Sequence, residues 1–157
     1  MRTGSAGLAL IKSFEGLRLT AYLDGAGIPT IGYGHTHEVS PGTSCTEAEA
    51  DAWLDTDLLV AETGMMECVK VGLTQNQFDA LVSFTFNLGV GALKESTLLR
   101  LLNAGSAQLA AEQFPRWNLV AGKPSPGLTR RRIAEQALFG TPDGFLLTFD
   151  HIPGVVS

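Results

Sequence analysis

Cysteine is scarce. Cys45 and Cys68 are the only two in 157 residues, too few for the multi-bridge framework of a small secreted domain. They flank one long helical pattern. A helix of about 20 residues spans roughly 30 Å, whereas a disulfide needs Cα atoms within about 7 Å, so both are expected to be free thiols. No Cys-x-x-Cys or His/Cys cluster carries zinc spacing. His35, His37 and Glu38 have no further ligand at a suitable spacing, so no metal is expected.

Positive charge is also short. Residues 1–93 hold 4 Lys/Arg against 11 Asp/Glu, and the whole chain carries a net charge of −5, which argues against general nucleic-acid binding. Residues 94–157 hold 7 Lys/Arg against 5 Asp/Glu, so an anionic partner should meet the C-terminal half. Long apolar runs are missing. The longest uncharged stretch in the middle, Ala80 to Leu93, is too short for a membrane span and contains Asn87, Gly89 and Gly91. Between Arg2 and Lys12 the apolar length is too small for a signal peptide, so the chain is expected to lack a standard export signal. No repeat period is present. At 45% hydrophobic composition the chain has enough apolar material for one domain with a core.

Ser5 to Phe14 reads as a short helix capped by Ser5, with Leu8, Ile11 and Phe14 on one face and Gly16 as its stop. Leu17–Asp24, Gly25-Ala26-Gly27 and Ile28–Gly34 read as strand, glycine turn and strand. Gly32 and Gly34 weaken the second strand and let another backbone or a ligand come close. After a loop at Val39–Ser44, Thr46 and Glu49 form a capping box for a long helix with Ala50, Trp53, Leu54, Leu58, Ala61 and Met65 on one side. Its seven acids from Glu47 to Glu67 read as a solvated outer face. Thr74 and Gln77 box the next helix, where Phe78, Leu81, Val82, Phe84, Thr85, Phe86 and Leu88 cover almost every side. A helix apolar all round is buried, so this is the expected central core element. Shorter helices follow at Ser96–Asn103, Ser106–Phe114 and about Leu128–Phe139, the last after a loop at Pro124–Gly127. Phe114 and Trp117 are expected to pack in the core and His37 to be exposed. Residues 140–157 show no period and receive no assignment.

Three polar residues frame the hairpin: Glu15 ends the first helix, Asp24 ends the first strand and Thr30 sits in the second. A carboxyl among apolar neighbours can keep its proton near neutral pH, and one beside a glycine turn can stay ionised in water. Two such carboxyls facing one cleft suit glycoside hydrolysis. Residue type alone does not carry this reading, because Glu at a helix end and Asp at a turn are ordinary surface residues. Spacing adds what type lacks: Asp24 follows Glu15 by nine positions and Thr30 follows Asp24 by six. With Lys12-Ser13-Phe14-Glu15-Gly16 before and Thr30-Ile31-Gly32-Tyr33-Gly34-His35 after, the pattern resembles the phage-type lysozymes, the endolysins of glycoside hydrolase family 24. Val71 to Leu81, Phe86-Asn87-Leu88-Gly89, Ser96-Thr97-Leu98-Leu99 and Arg130-Arg131-Arg132 with Glu135 also fit. The resemblance runs from about Leu8 to Phe139.

That resemblance implies an α+β fold, mostly α. A small hairpin lobe (about 14–45) and a helical lobe (about 73–139) would be joined by a long helix (about 46–66), with the cleft between them. It implies Glu15 as general acid, Asp24 as second carboxylate and Thr30 as the residue that helps place the attacking water. His35 is similar to a structural histidine that pairs with a carboxylate. Three cations at a helix start oppose the macrodipole, so at least one should have an anionic partner. The family pairs such an arginine with its acid, and counting back from Phe139 the best match is Arg131. The implied substrate is peptidoglycan, cut between N-acetylmuramic acid and N-acetylglucosamine, with no cofactor, by a monomer. The implied biology is host lysis and phage release, after the enzyme leaves the cytoplasm through a holin-type pore. Inversion and retention both stay open, since carboxyl separation decides between them. The alternatives are a lytic transglycosylase needing only Glu15, against which the spacing of Asp24 and Thr30 argues, a non-catalytic wall-binding module, which the loss of Glu15 or Asp24 would favour, and a bacterial secreted effector. Many relatives are basic, whereas this chain has a pI of about 5.1.

Overall fold

The computed structural model describes residues 1–145. In order the elements are α1 (Ser5–Glu15), β1 (Arg18–Leu23), β2 (Pro29–Gly32), α2 (Glu47–Cys68), α3 (Gln75–Leu88), α4 (Val90–Glu95), α5 (Thr97–Asn103), α6 (Ala107–Ala111), β3 (Leu119–Val120), β4 (Lys123–Pro124) and α7 (Pro126–Phe139). The fold is mostly helical with small antiparallel hairpins. In the first hairpin Tyr22 lies opposite Thr30 and Leu23 opposite Pro29.

The core forms around α3. Phe78, Ala80, Leu81, Val82 and Phe84 are fully buried, and α3 packs against α1, α2, α4 and α7. Local chemistry starts α2 and α3, since both capping boxes form, Thr46 with Glu49 and Thr74 with Gln77. The 22 residues of α2 cover about 33 Å. Its first turns lie against β2, where a Cβ on Gly32 would sit 3.2 Å from the Ala50 Cβ, and its later turns meet Val90 through Gly64. Cys45 precedes α2, Cys68 ends it, and both are free thiols. No helix among the described residues is long and apolar enough to cross a membrane.

Several local expectations are corrected. Ser5 is the first helical residue of α1, not its cap; the N-cap is Gly4, which has no side chain to offer. The second strand ends at Gly32 because Gly32 (φ 66) and Gly34 (φ 85) turn the chain, letting Ile31 and His35 exchange two backbone hydrogen bonds of 2.9 Å. The acids of α2 are only partly a solvated face. Glu62 is buried, accepts from Thr3 N and Oγ1 at 2.8 and 2.6 Å, and meets Arg2 at 2.6 Å. Asp51 pairs with Lys12 and Asp57 with His35, each at 2.8 Å. The helix expected over Ser106–Phe114 stops at Ala111 and gives way to a 3-10 turn, Phe114–Arg116, that contains Pro115. Ser125 caps α7, which begins at Pro126. Arg130, Arg131 and Arg132 therefore lie in its second turn, beyond the reach of the macrodipole penalty at its start. Helix α4 and the β3–β4 hairpin were not anticipated.

Of the unassigned tail, residues 146–157 lie outside the described residues. Before them, Asp143 accepts from Gln75 N and Asn76 N at 2.9 and 3.0 Å and so completes the cap of α3.

Candidate active site

Helix α1 delivers Glu15 at its last position, where Gly16 (φ 71) breaks the helix. The Glu15 side chain is 20% exposed, and its Oε1 accepts from Arg131 Nη1 at 2.6 Å. On the other side Gly34 passes so near that a Cβ there would stand 3.1 Å from Oε2. One carboxyl oxygen is thus clamped. The other makes no hydrogen bond among the described residues.

Arg131 is itself held from several directions. Its Nη2 donates to the Ser83 carbonyl at 3.3 Å and lies 3.4 Å from Ser83 Oγ, and its Nε donates to Glu135 Oε1 at 3.3 Å. Glu135 is fully buried, accepts from Ser83 Oγ at 2.7 Å and lies 3.1 Å from Arg132 Nε. Arg132, also fully buried, donates to Asn87 Oδ1 and stacks over Phe84. Burial pushes the Glu135 carboxyl up, against the opposing pull of Arg132, Arg131 and Ser83. Burial pulls the Arg132 guanidinium down to about 10, although Glu135 opposes it. The two arginines balance Glu15 and Glu135, so the cluster is neutral when all four are charged.

The hairpin supplies the other two residues. Asp24 Oδ1 accepts from Ala26 N and Ile28 N, both at 2.9 Å. Tyr22 and Thr30 are partners across the hairpin, and Asp24 follows the end of β1, its amide donating to the Ile28 carbonyl at 3.0 Å. Thr30 is buried and donates its hydroxyl proton to the Ile28 carbonyl at 2.9 Å, which leaves its oxygen free to accept.

His35 sits behind this corner, its Nδ1 2.8 Å from Asp57 and its ring stacked on Trp53 at 4.9 Å. The side chain of His37 is 81% exposed. Phe114 and Trp117 both meet the Phe84 ring edge-on, at 5.7 and 5.5 Å. Sequence reasoning missed Ser83 and Asp57 as partners and the role of Glu135 in holding Arg131. The four-residue step from Arg131 to Glu135 and the lone serine inside an apolar helix were the available signals.

The phage lysozyme family profile matches residues 12–135, and the chain belongs to that family. The endolysin of Bacillus phage PZA is 49% identical over 90% of this chain and 57% of its own length. The chain thus spans a little over half of that relative. The endolysin of Salmonella phage P22 is 43% identical over 88% of this chain and 98% of its own. Among solved structures, the muramidase domain of SpmX from Asticaccaulis excentricus superposes with a TM-score of 0.85 at 43% identity, covering 90% of this chain and 99% of that one.

Proposed function

We propose that the protein is a muramidase that hydrolyses the β-1,4 bond between N-acetylmuramic acid and N-acetylglucosamine in peptidoglycan, and that its task is host-cell lysis for phage release. The observation that carries this reading is the division of the Glu15 carboxyl, with Oε1 held by Arg131 at 2.6 Å and Oε2 left for substrate. A proton on Oε2 passes to the glycosidic oxygen as its bond to the muramic acid C1 breaks.

Asp24, whose Oδ1 accepts from two backbone amides, faces the positive charge that develops at C1. A water held between Asp24 and the Thr30 oxygen attacks C1; its hydroxyl completes the new reducing end and its proton goes to Asp24. The protein acts as a monomer, made in the host cytoplasm and reaching the wall through a holin-type pore. The phage endolysin relatives support the lytic role.

Digestion of purified peptidoglycan followed by mass analysis tests the reaction. Muropeptides with a reducing muramic acid end support it. Anhydro-muramic ends would replace hydrolysis with transglycosylation, and intact glycan would leave a wall-binding role.

A further inference from the structure

Helix α1 carries the acid but has no cap of its own. In α2 and α3 the capping box is local: a threonine at the N-cap accepts from the N3 amide, and the N3 side chain accepts from the N-cap amide. In α1 those two positions are Gly4 and Gly7, and neither has a side chain to give. One carboxylate from α3 does both jobs. Asp79 Oδ1 accepts from Gly4 N at 2.9 Å and Oδ2 accepts from Gly7 N at 3.0 Å. Asp79 is fully buried. A Cβ on Gly7 would stand 2.7 Å from the Asp79 Cβ and Cγ, so glycine is what admits it.

Asp79 belongs to a row. Gln75, Asp79, Ser83 and Asn87 recur every fourth residue, forming one polar ridge along α3. Gln75 Nε2 donates to the Arg2 carbonyl at 2.9 Å and to Asp79 at 2.8 Å. Ser83 takes Arg131 and Glu135, and Asn87 takes Arg132. One end of the ridge therefore grips the start of α1. One turn along, it grips the guanidinium that meets Glu15 at the other end of α1. The 11 residues of α1 make a rod of about 16 Å between those two points.

We propose that Asp79 is a positioning residue for Glu15: by capping α1 from α3, it fixes the helix along its axis and so sets how Glu15 meets Arg131. The kinetic part rests on the muramidase reading; the geometric part does not. A cap supplied from outside does two things that a local cap does only in part. It satisfies the first amides, and it ties the helix to the frame that holds Arg131.

That difference supplies the test. Asp79→Ala removes both functions. Adding Gly4→Ser gives α1 its own N-cap, in space that the Asp79 carboxylate vacates. Thermal stability, kcat and KM on soluble glycan strands, and the low-temperature NMR signals of the Arg131 guanidinium protons would be measured for wild type, Asp79→Ala and the double variant. Asp79→Asn serves if the alanine variant does not fold. Stability should fall in Asp79→Ala and largely return in the double variant. kcat should fall about tenfold or more in both, with little change in KM, as misplacement of a reacting group requires. The Arg131 signals should be weakened in both. Recovery of kcat and of the Arg131 signals by Gly4→Ser would overturn the inference, leaving Asp79 a stabiliser only. So would wild-type kcat and signals in Asp79→Ala. A wild type that cleaves no glycan sinks the muramidase reading, and the Arg131 signals then decide the positioning by themselves.

Discussion

Gly34 stands against Glu15 so closely that a methyl group there would meet the free carboxyl oxygen at 3.1 Å. Two constraints coincide at this glycine, because its φ of 85 also lies where side chains are disfavoured. Gly34→Ala should cost about 1–2 kcal/mol through the backbone alone. Wall-clearing activity should fall further than that loss of folding explains, because the added methyl displaces Oε2. Urea denaturation and turbidity clearance on the same preparation separate the two effects. Unchanged activity would mean that Oε2 is not the oxygen that meets substrate.

Glu15→Gln keeps the shape and removes the proton. General acid catalysis is worth about 10²–10⁴-fold, so clearance of permeabilised Gram-negative cells should drop by at least that range's lower end while the circular dichroism spectrum stays wild type. A residual rate above roughly a tenth of wild type would remove Glu15 from the acid's role.

Arg131 is 4% exposed and contacts both Glu15 and Glu135. Arg131→Ala leaves the fully buried Glu135 with Arg132 as its remaining cation. Breaking one side of a buried pair costs about 3–5 kcal/mol, and the denaturant midpoint should report it. A loss under about 1 kcal/mol, typical of surface pairs, would show that the cluster is solvated.

The thiols give a check on α2. Cys45 and Cys68 are both free, so two thiols should react after denaturation without reductant. Burial, and then the nearby Glu49, raises the Cys45 thiol, so its reaction in the native protein should be slow at neutral pH. Thiols that appear only after reduction would mean that the two ends of α2 come together.

What could be read from the sequence is what neighbours in sequence decide. Helices α2 and α3 were legible because Thr46 with Glu49 and Thr74 with Gln77 lie three residues apart, and the all-round apolar pattern of α3 marked it as the core. Spacing, read through the resemblance to phage lysozymes, singled out Glu15, and the resemblance pointed to Arg131 as its partner; the structure sets the two 2.6 Å apart. The cap of α1 was illegible, because Asp79 lies 75 positions from Gly4. Ser5 looked like the cap only because it was the nearest hydroxyl. Glu62 failed in the same way: nothing near it in sequence shows that Arg2 and Thr3 return to it. The β3–β4 hairpin escaped because its strands are short and exposed, and its turn uses Ala121 at φ 49, a conformation alanine does not advertise.

Two helical glycines should answer oppositely to the same substitution. Glycine inside a helix is less stable than alanine by roughly 0.5–1 kcal/mol, and nothing stands within 4 Å of a Cβ built on Gly91 in α4. Gly91→Ala should therefore stabilise by up to about that amount. On Gly7 the same methyl would meet the Asp79 Cβ and Cγ at 2.7 Å and Thr3 Cγ2 at 2.8 Å. Room could come only by moving α1 off α3, which stretches the hydrogen bond from Gly7 N to Asp79. Overpacking of this kind costs about 1–3 kcal/mol, more than the helix propensity returns, so Gly7→Ala should lower the urea midpoint while Gly91→Ala raises it. Stabilisation by Gly7→Ala would mean that α1 does not approach α3 this closely, and the Asp79 cap would fail with it.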